Sequence, residues 1–191
     1  MMIHSPFWRF GLWAFLSLCT LACTSGKANS DPLHVDGLSA VFQLKTDSVW
    51  HVPEPGKRTS VHFALEMTNT SHGPIRFPIM DVDNITVALK DEHQREFHWE
   101  GGQDGIIPGK PTSAPVSPGD TFELILATHL DWDPNQRLRV SFEDGLGSIW
   151  WIGPLDPGAY QVDMTYENRS ARSSDLWQGR ANISPVSIQI K

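Results

Sequence analysis

The sequence predicts an all-β protein folded as an antiparallel β-sandwich, and two observations carry this prediction. Apolar and polar residues alternate in short runs along the chain, as they do in strands that bury one face and expose the other. The 15 glycines and 14 prolines are scattered between these runs and favour turns. After residue 22, no long segment has the 3.6-residue periodicity of an amphipathic helix.

The amino terminus has the pattern of an export signal. Arg9 precedes an uncharged stretch from Phe10 to Ala22, which is shorter than the ~20 residues of a membrane-spanning helix and has the length of a signal-peptide core. The stretch ends in Thr-Leu-Ala-Cys at 20–23, and a small residue before Cys at this point resembles the bacterial lipobox. The resemblance implies that Cys23 carries acyl groups such as palmitate and begins the mature chain. The alternative is an ordinary signal peptide, an incidental Cys23 and a secreted soluble product.

These features divide the chain into three predicted segments. They are a signal peptide at 1–22, the lipidated Cys23 with a flexible polar tether at 23–36, and one sandwich domain at 37–191. Both cysteines, Cys19 and Cys23, precede the domain, so burial rather than disulfides must stabilise it. Loss of residues 1–22 removes one cation and no acid, and the formal charge moves from -7 to about -8. This acidity argues against nucleic acid as a partner.

The first half of the domain contains clear alternating segments. Its predicted strands, the last two paired as a hairpin, are Leu38–Lys45, Val61–Asn69, Ile75–Ile79, Ile85–Leu89 and Glu96–Glu100. Between the first two of these, residues 46–59 contain Pro53, Pro55 and Gly56 and are predicted to be a loop. The Gly- and Pro-rich segment Gly101–Gly119 is predicted to cross the surface without a strand.

The second half continues the pattern to the end of the chain. Its predicted strands are Asp120–Thr128, Leu138–Phe142, Ser148–Trp151, Tyr160–Tyr166 and Pro185–Ile190. In the third of these, the adjacent rings of Trp150 and Trp151 must leave the strand on opposite faces. One of the two is therefore expected in the core and the other outside it.

The entry to the Tyr160 strand carries a family resemblance. Residues 155–160 read Leu-Asp-Pro-Gly-Ala-Tyr, with Pro157 and Gly158 suited to a turn. This pattern resembles the tyrosine corner of immunoglobulin-like and fibronectin type III sandwiches. The resemblance implies that the Tyr160 hydroxyl bonds back to the backbone just upstream. The Asn-x-Ser-x-x-Pro hairpin at 69–74 and the closing Trp-x-Gly at 177–179 are similar to segments of exported bacterial immunoglobulin-like proteins.

The sequence contains none of the motifs that we searched for as signs of an enzyme. There is no Gly-x-Ser-x-Gly elbow, no His-Glu-x-x-His, and no cysteine after residue 23 to act as a nucleophile. We therefore expect a protein that is not an enzyme and needs no cofactor. Asp81 with Asp83, and Asp131 with Asp133, are weak candidates for calcium. Because Asp is common in turns, our prediction is that no metal is bound.

Tryptophans provide the remaining functional signal. Trp132, Trp151 and Trp177 lie in or beside polar segments, and exposed tryptophans are frequent in binding surfaces. The leading hypothesis is a non-catalytic module, anchored at a membrane through Cys23, that binds a protein of the cell envelope. One alternative is a carbohydrate-binding module that uses these tryptophans. A second is an immunoglobulin-like protease inhibitor, whose inhibitory loop would be Gly101–Gly119.

Overall fold

The protein is an all-β, sandwich-like structure. The computed structural model describes residues 28–79, 84–101, 112–143, 149–168 and 176–191, which contain β-strands and no α-helix. In this part of the chain no helix has the length and hydropathy of a membrane span. The strands are β1 Leu33–Val35, β2 Leu38–Leu44, β3 Val49–Trp50, β4 Thr59–Ser60, β5 Phe63–Asn69, β6 Ile75–Ile79, β7 Ile85–Asp91, β8 Glu96–His98, β9 Glu100–Gly101, β10 Thr112–Val116, β11 Thr121–Leu126, β12 Thr128–Trp132, β13 Leu138–Glu143, β14 Ile149–Leu155, β15 Gly158–Asn168 and β16 Gly179–Ile190.

The strands form four hydrogen-bonded sheets. Sheet I has the order β1-β2-β5-β11, sheet II β4-β12-β13-β14-β9, sheet III β3-β16-β15-β7-β8, and sheet IV β10-β6. Their pairings are antiparallel except between β3 and β16, which are parallel. Each predicted strand has a counterpart in the structure, and β7 and β8 form the predicted hairpin, but the predicted strand Glu96–Glu100 is divided between β8 of sheet III and β9 of sheet II.

Sheets I and II continue into one another. Thr121 pairs with Thr68 at one end of the β5–β11 ladder, and His129 pairs with Ser60 in the β4–β12 ladder, in the same register. The join is closed by the Val61 amide, which donates to the Thr128 carbonyl at 3.0 Å, and by the Thr128 hydroxyl, which donates to the Val61 carbonyl. The two sheets therefore present one continuous outer surface.

Aromatic side chains fill the space between the sheets. Phe77 of β6 is fully buried and lies 6.3 Å, centroid to centroid, from Phe122 of sheet I and 6.3 Å from Tyr166 of sheet III. Trp50 of β3 packs on Phe63 of β5 at 5.8 Å. These contacts join sheets I, III and IV through one hydrophobic core, which explains why a cysteine-free domain is stable.

The hydrogen bond predicted for Tyr160 is confirmed. Its hydroxyl donates to the Asp156 carbonyl at 2.8 Å and accepts from the Asp156 amide at 3.1 Å. Burial raises the pKa of Tyr160, because an apolar setting disfavours the phenolate. Pro157 and Gly158 form the turn between the two bonded residues, so the corner fixes where β14 ends and β15 begins.

Replacing Tyr160 by Phe tests the corner. We expect the variant to lose about 1–2 kcal/mol of unfolding free energy, because the backbone groups of Asp156 lose their partner. The ring remains and keeps its 6.2 Å contact with Phe97, so the change isolates the hydrogen bonds. Denaturant titration measures the difference, and an unchanged unfolding free energy would show that the corner does not stabilise this fold.

The predicted tether at 23–36 is wrong over its described part. Residues 33–35 form β1, which pairs with β2, and the Ser30 hydroxyl accepts a hydrogen bond from the Phe42 amide at 2.9 Å. Asp36 and Gly37 both have positive φ, 43° and 76°, as a two-residue hairpin turn requires. The sandwich domain therefore includes the described residues 28–36, because this polar segment pairs with β2.

Two predicted loops also contain strands. Residues 46–59 include β3, which pairs with the last residues of β16. The segment Gly101–Gly119 includes β10, which pairs with β6 along its whole length. Both strands are short and depend on a distant partner, so local alternation gives no sign of them. Residues 102–111 of the proposed inhibitory loop lie outside the described residues.

Candidate functional site

The outward side of sheet II carries the side chains that form the candidate site among the described residues. Along β12 to β14, inward residues such as Leu130, Val140 and Ile152 are fully buried, and the alternate residues point away from the core. We call this surface the outer face. It is formed by His129, Asp131, Arg139, Ser141, Ile149 and Trp151, with Arg58 and His62 beside it.

Arg139 is the fixed centre of the outer face. Its Nε donates to Asp131 Oδ1 at 2.8 Å, and the Ser141 hydroxyl donates to Asp131 Oδ2 at 2.8 Å. The Arg139 guanidinium lies 5.8 Å from the centroid of the Trp151 ring, in cation–π contact. A Cβ on Gly153 would come within 2.9 Å of the Arg139 Cβ, so glycine makes room for this arrangement. The four side chains form a preorganised, half-buried network.

Two histidines lie beside this network. The rings of His62 and His129 meet edge to face at 6.1 Å. In each ring Nδ1 is buried and has no hydrogen-bond partner among the described residues, so Nε2 is the nitrogen left to meet a ligand. Burial lowers the pKa of His129, and the nearby Arg58 and His62 lower it further, against a smaller opposing effect of Asp131.

Two exposed apolar side chains lie on the outward side of sheets I and II. Ile149 is 50% exposed and Ile125 is 51% exposed, and they are the large hydrophobic side chains that the described residues leave in solvent. Burial alternates without a break from Leu124 to Asp131, so Ile125 points the same way as His129. A depression of about 420 Å³ runs between Arg58, His129 and Ile149.

The structure does not bring the three candidate tryptophans together. Trp177 is only 4% exposed and stacks on Tyr166 at 5.4 Å, so its prediction as a surface residue is wrong. Gly179 makes this burial possible. A Cβ at residue 179 would lie 2.8 Å from the indole of Trp177, so only glycine lets the ring pack this close to the backbone. Trp132 points to the inner side of sheet II and donates its indole N–H to the Pro53 carbonyl at 2.9 Å. Trp151 alone belongs to the outer face.

The calcium candidates have two different outcomes. Asp81 and Asp83 lie outside the described residues. Asp131 is held by Arg139 and Ser141, as described above. Asp133 accepts from the Arg137 Nε at 2.8 Å and from two backbone amides, and the hydrogen bonds from Arg137 lower its pKa. Within the described residues no three His, Cys, Asp or Glu side chains cluster in a way that could hold a metal.

The Asp133 turn has a duplicate that the sequence analysis missed. Residues 91–95 and 133–137 share the pattern Asp-x-x-Gln-Arg. In both, the aspartate accepts from the backbone amides two and four residues later and from the arginine Nε. The glutamine has positive φ in both, 63° at Gln94 and 58° at Gln136. The two turns close hairpins, so these charged residues are structural.

Sequence reasoning also missed most of the outer face. It selected Trp151 but not Arg58, His62, His129 or Arg139, because each is an ordinary polar residue at an outward strand position. Their significance comes from the register, which sets His129 opposite Ser141 and Asp131 opposite Arg139. No family model matches this chain, and no curated protein matches it in sequence. The function must therefore be argued from the outer face itself.

Proposed function

We propose that this chain is a lipid-anchored module of the bacterial cell envelope, with an immunoglobulin-like sandwich that binds a protein partner through its outer face. The observation that carries the proposal is that four side chains point outward on the same surface: Ile125, Ile149, Trp151 and the hydrogen-bonded Arg139. Aromatic residues and arginine dominate the energetics of protein interfaces, and exposed apolar side chains gathered on one surface mark interaction sites. The tyrosine corner at Tyr160 supports the immunoglobulin-like assignment.

The arrangement of the tryptophans favours a protein over a glycan. A sugar ring stacks on the open face of an aromatic side chain, and extended glycans use several such rings in a row. Here Trp177 is in the core, Trp132 points to the other side of its sheet, and Trp151 already holds the Arg139 guanidinium near its ring. The outer face instead offers mixed apolar and charged contacts, which suit another polypeptide.

Site-specific photo-crosslinking tests the proposed surface. A benzophenone amino acid in place of Ile149 is expected to form a defined adduct with one envelope protein in cells that express the chain with its own leader. The same amino acid in place of Gln161, which is exposed on β15 of sheet III, is expected to form none. Crosslinking that is equal at both positions, or absent at 149, would refute binding at the outer face.

Competition with purified variants measures the strength of the contact. An excess of the wild-type domain is expected to suppress the Ile149 adduct. The Ile149→Asp variant is expected to compete at least about tenfold less well, because it replaces an exposed apolar side chain of the surface by a charge. Gln161→Asp adds the same charge on the opposite sheet and is expected to compete like the wild type. Equal competition by both variants would contradict the proposal.

The anchor is tested separately, because Cys23 lies outside the described residues. Expressed with its own leader, the protein is expected to partition into membranes and to show the mass of a diacylated or triacylated Cys23. Cys23→Ala is expected to lose both the added mass and the membrane association. If both forms are unmodified, the protein is exported without an anchor, and the outer-face proposal stands independently of that result.

A further inference from the structure

We infer that the outer face selects an acidic partner segment, in which Asp or Glu side chains flank a bulky apolar residue. The inference rests on the proposed function and deepens it. Arg58 is exposed and makes no ion pair within the described part of the chain. Arg58 and His129 line the depression beside Ile149, and His62 packs against His129, while Asp131 is already paired with Arg139. Arg58 is therefore a cation available to a ligand at this depression, on a chain whose formal charge is -7.

The geometry distinguishes which groups remain for the partner. Arg139 donates its Nε–H to Asp131 and lies in cation–π contact with Trp151. Its role is therefore to hold these side chains in place. Arg58 and the Nε2 atoms of His62 and His129 are the donors left to meet a ligand, and carboxylates are the acceptors that bind such donors most strongly. Ile149 lines the same depression as Arg58 and His129 and would cover the apolar residue of the segment.

The same charges predict how pH affects capture. In the unbound chain, burial and the nearby Arg58 and His62 oppose protonation of His129, against a smaller opposite effect of Asp131, which is paired with Arg139. A partner carboxylate at the depression favours the imidazolium, so the complex takes up a proton when it forms. Affinity is therefore expected to rise as pH falls towards the lowered pKa of His129 in the unbound chain, and to level off below it.

The crosslinked peptide provides the direct test. The adduct formed at position 149 is digested, and the partner peptide is sequenced by mass spectrometry. We expect Asp or Glu residues within about three positions of the crosslink, since an extended chain spans about 3.4 Å per residue and charges beyond a Debye length of about 8–10 Å are screened. A neutral or basic peptide overturns the inference while the proposed function survives, and the absence of any adduct overturns both.

Variants then separate local charge from overall charge. Arg58→Gln is expected to lower the yield of the adduct about five- to tenfold at low salt, and to lose most of that effect at about 0.5 M salt. Arg180→Gln removes one charge from an exposed position on β16 and is expected to leave the yield unchanged. His129→Gln is expected to flatten the pH dependence. Equal effects of the two arginine variants, or a yield independent of salt and pH, overturn the inference.

Discussion

Replacing Asn69 by Asp is expected to remove about 3–5 kcal/mol of unfolding free energy at neutral pH. Asn69 is fully buried, and its Nδ2 donates to the carbonyls of Gly73 and Val116, both at 2.8 Å. Its Oδ1 accepts from the Ser71 amide at 2.9 Å and the Ser71 hydroxyl at 2.7 Å. The side chain thus ties the β5–β6 turn to the end of β10. Aspartate keeps the acceptor but sets a charged oxygen against two carbonyl oxygens.

The pH dependence of the unfolding free energy of this variant provides a second test. Burial beside two carbonyls raises the pKa of the new carboxyl in the folded state, so the folded chain binds more protons than the unfolded chain. The deficit relative to wild type is therefore complete above that raised pKa and shrinks as pH falls. Asn135→Asp, in an exposed turn, is the matched control, with an expected change within about 0.5 kcal/mol. Equal unfolding free energies for the two variants would contradict this account.

Phe77→Ala is expected to cost about 3–5 kcal/mol, as is typical of a fully buried aromatic residue. The ring lies against Phe122, Tyr166 and Trp177 at centroid distances of 6.3, 6.3 and 6.5 Å. Its strand, β6, pairs with β10 and otherwise makes one isolated bridge, between Arg76 and Leu176, among the described residues, so the packing of this ring is a main contact between sheet IV and the rest of the domain. Truncation leaves a cavity where three sheets meet.

Two measurements test the role of Phe77. Denaturant titration gives the loss of unfolding free energy, and hydrogen exchange is expected to show the earliest opening at β6 and β10. Phe97→Ala is the control, because Phe97 is half-buried on the edge strand β8, and its expected loss is about 1–2 kcal/mol. A uniform rise in exchange across the domain would show that sheet IV is not held by this contact.

Much of the fold was predictable because it is encoded locally. Alternation identified β2, whose residues from Leu38 to Leu44 are buried and half-buried in turn. The Leu-x-Pro-Gly-x-Tyr pattern identified the corner at Tyr160, since its partner Asp156 is only four residues away. The Asp36-Gly37 turn was equally local, and its Asp-Gly signal was sufficient to predict the hairpin that the tether assignment missed.

The candidate site was less predictable because side-chain type alone does not decide exposure. Trp177 lies in a polar segment, yet it is buried, because Gly179 lets its ring approach the backbone and Tyr166 stacks on it. Trp132 and Trp151 face opposite sides of sheet II because they occupy positions of opposite parity in the paired strands. Parity within one strand is readable from sequence, whereas the relation between strands depends on their register.

The sequence by itself determined the all-β class, the absence of disulfides from the body, and the corner at Tyr160, because each depends on composition or on residues close together in the chain. Tertiary structure alone decided which side chains form the outer face. Ser60, His129, Ser141 and Trp151 lie on four strands, and they form one cross-strand row only through the ladders of sheet II. A binding surface of this kind is a product of register, which depends on how separate strands pair and not on the pattern within any one strand.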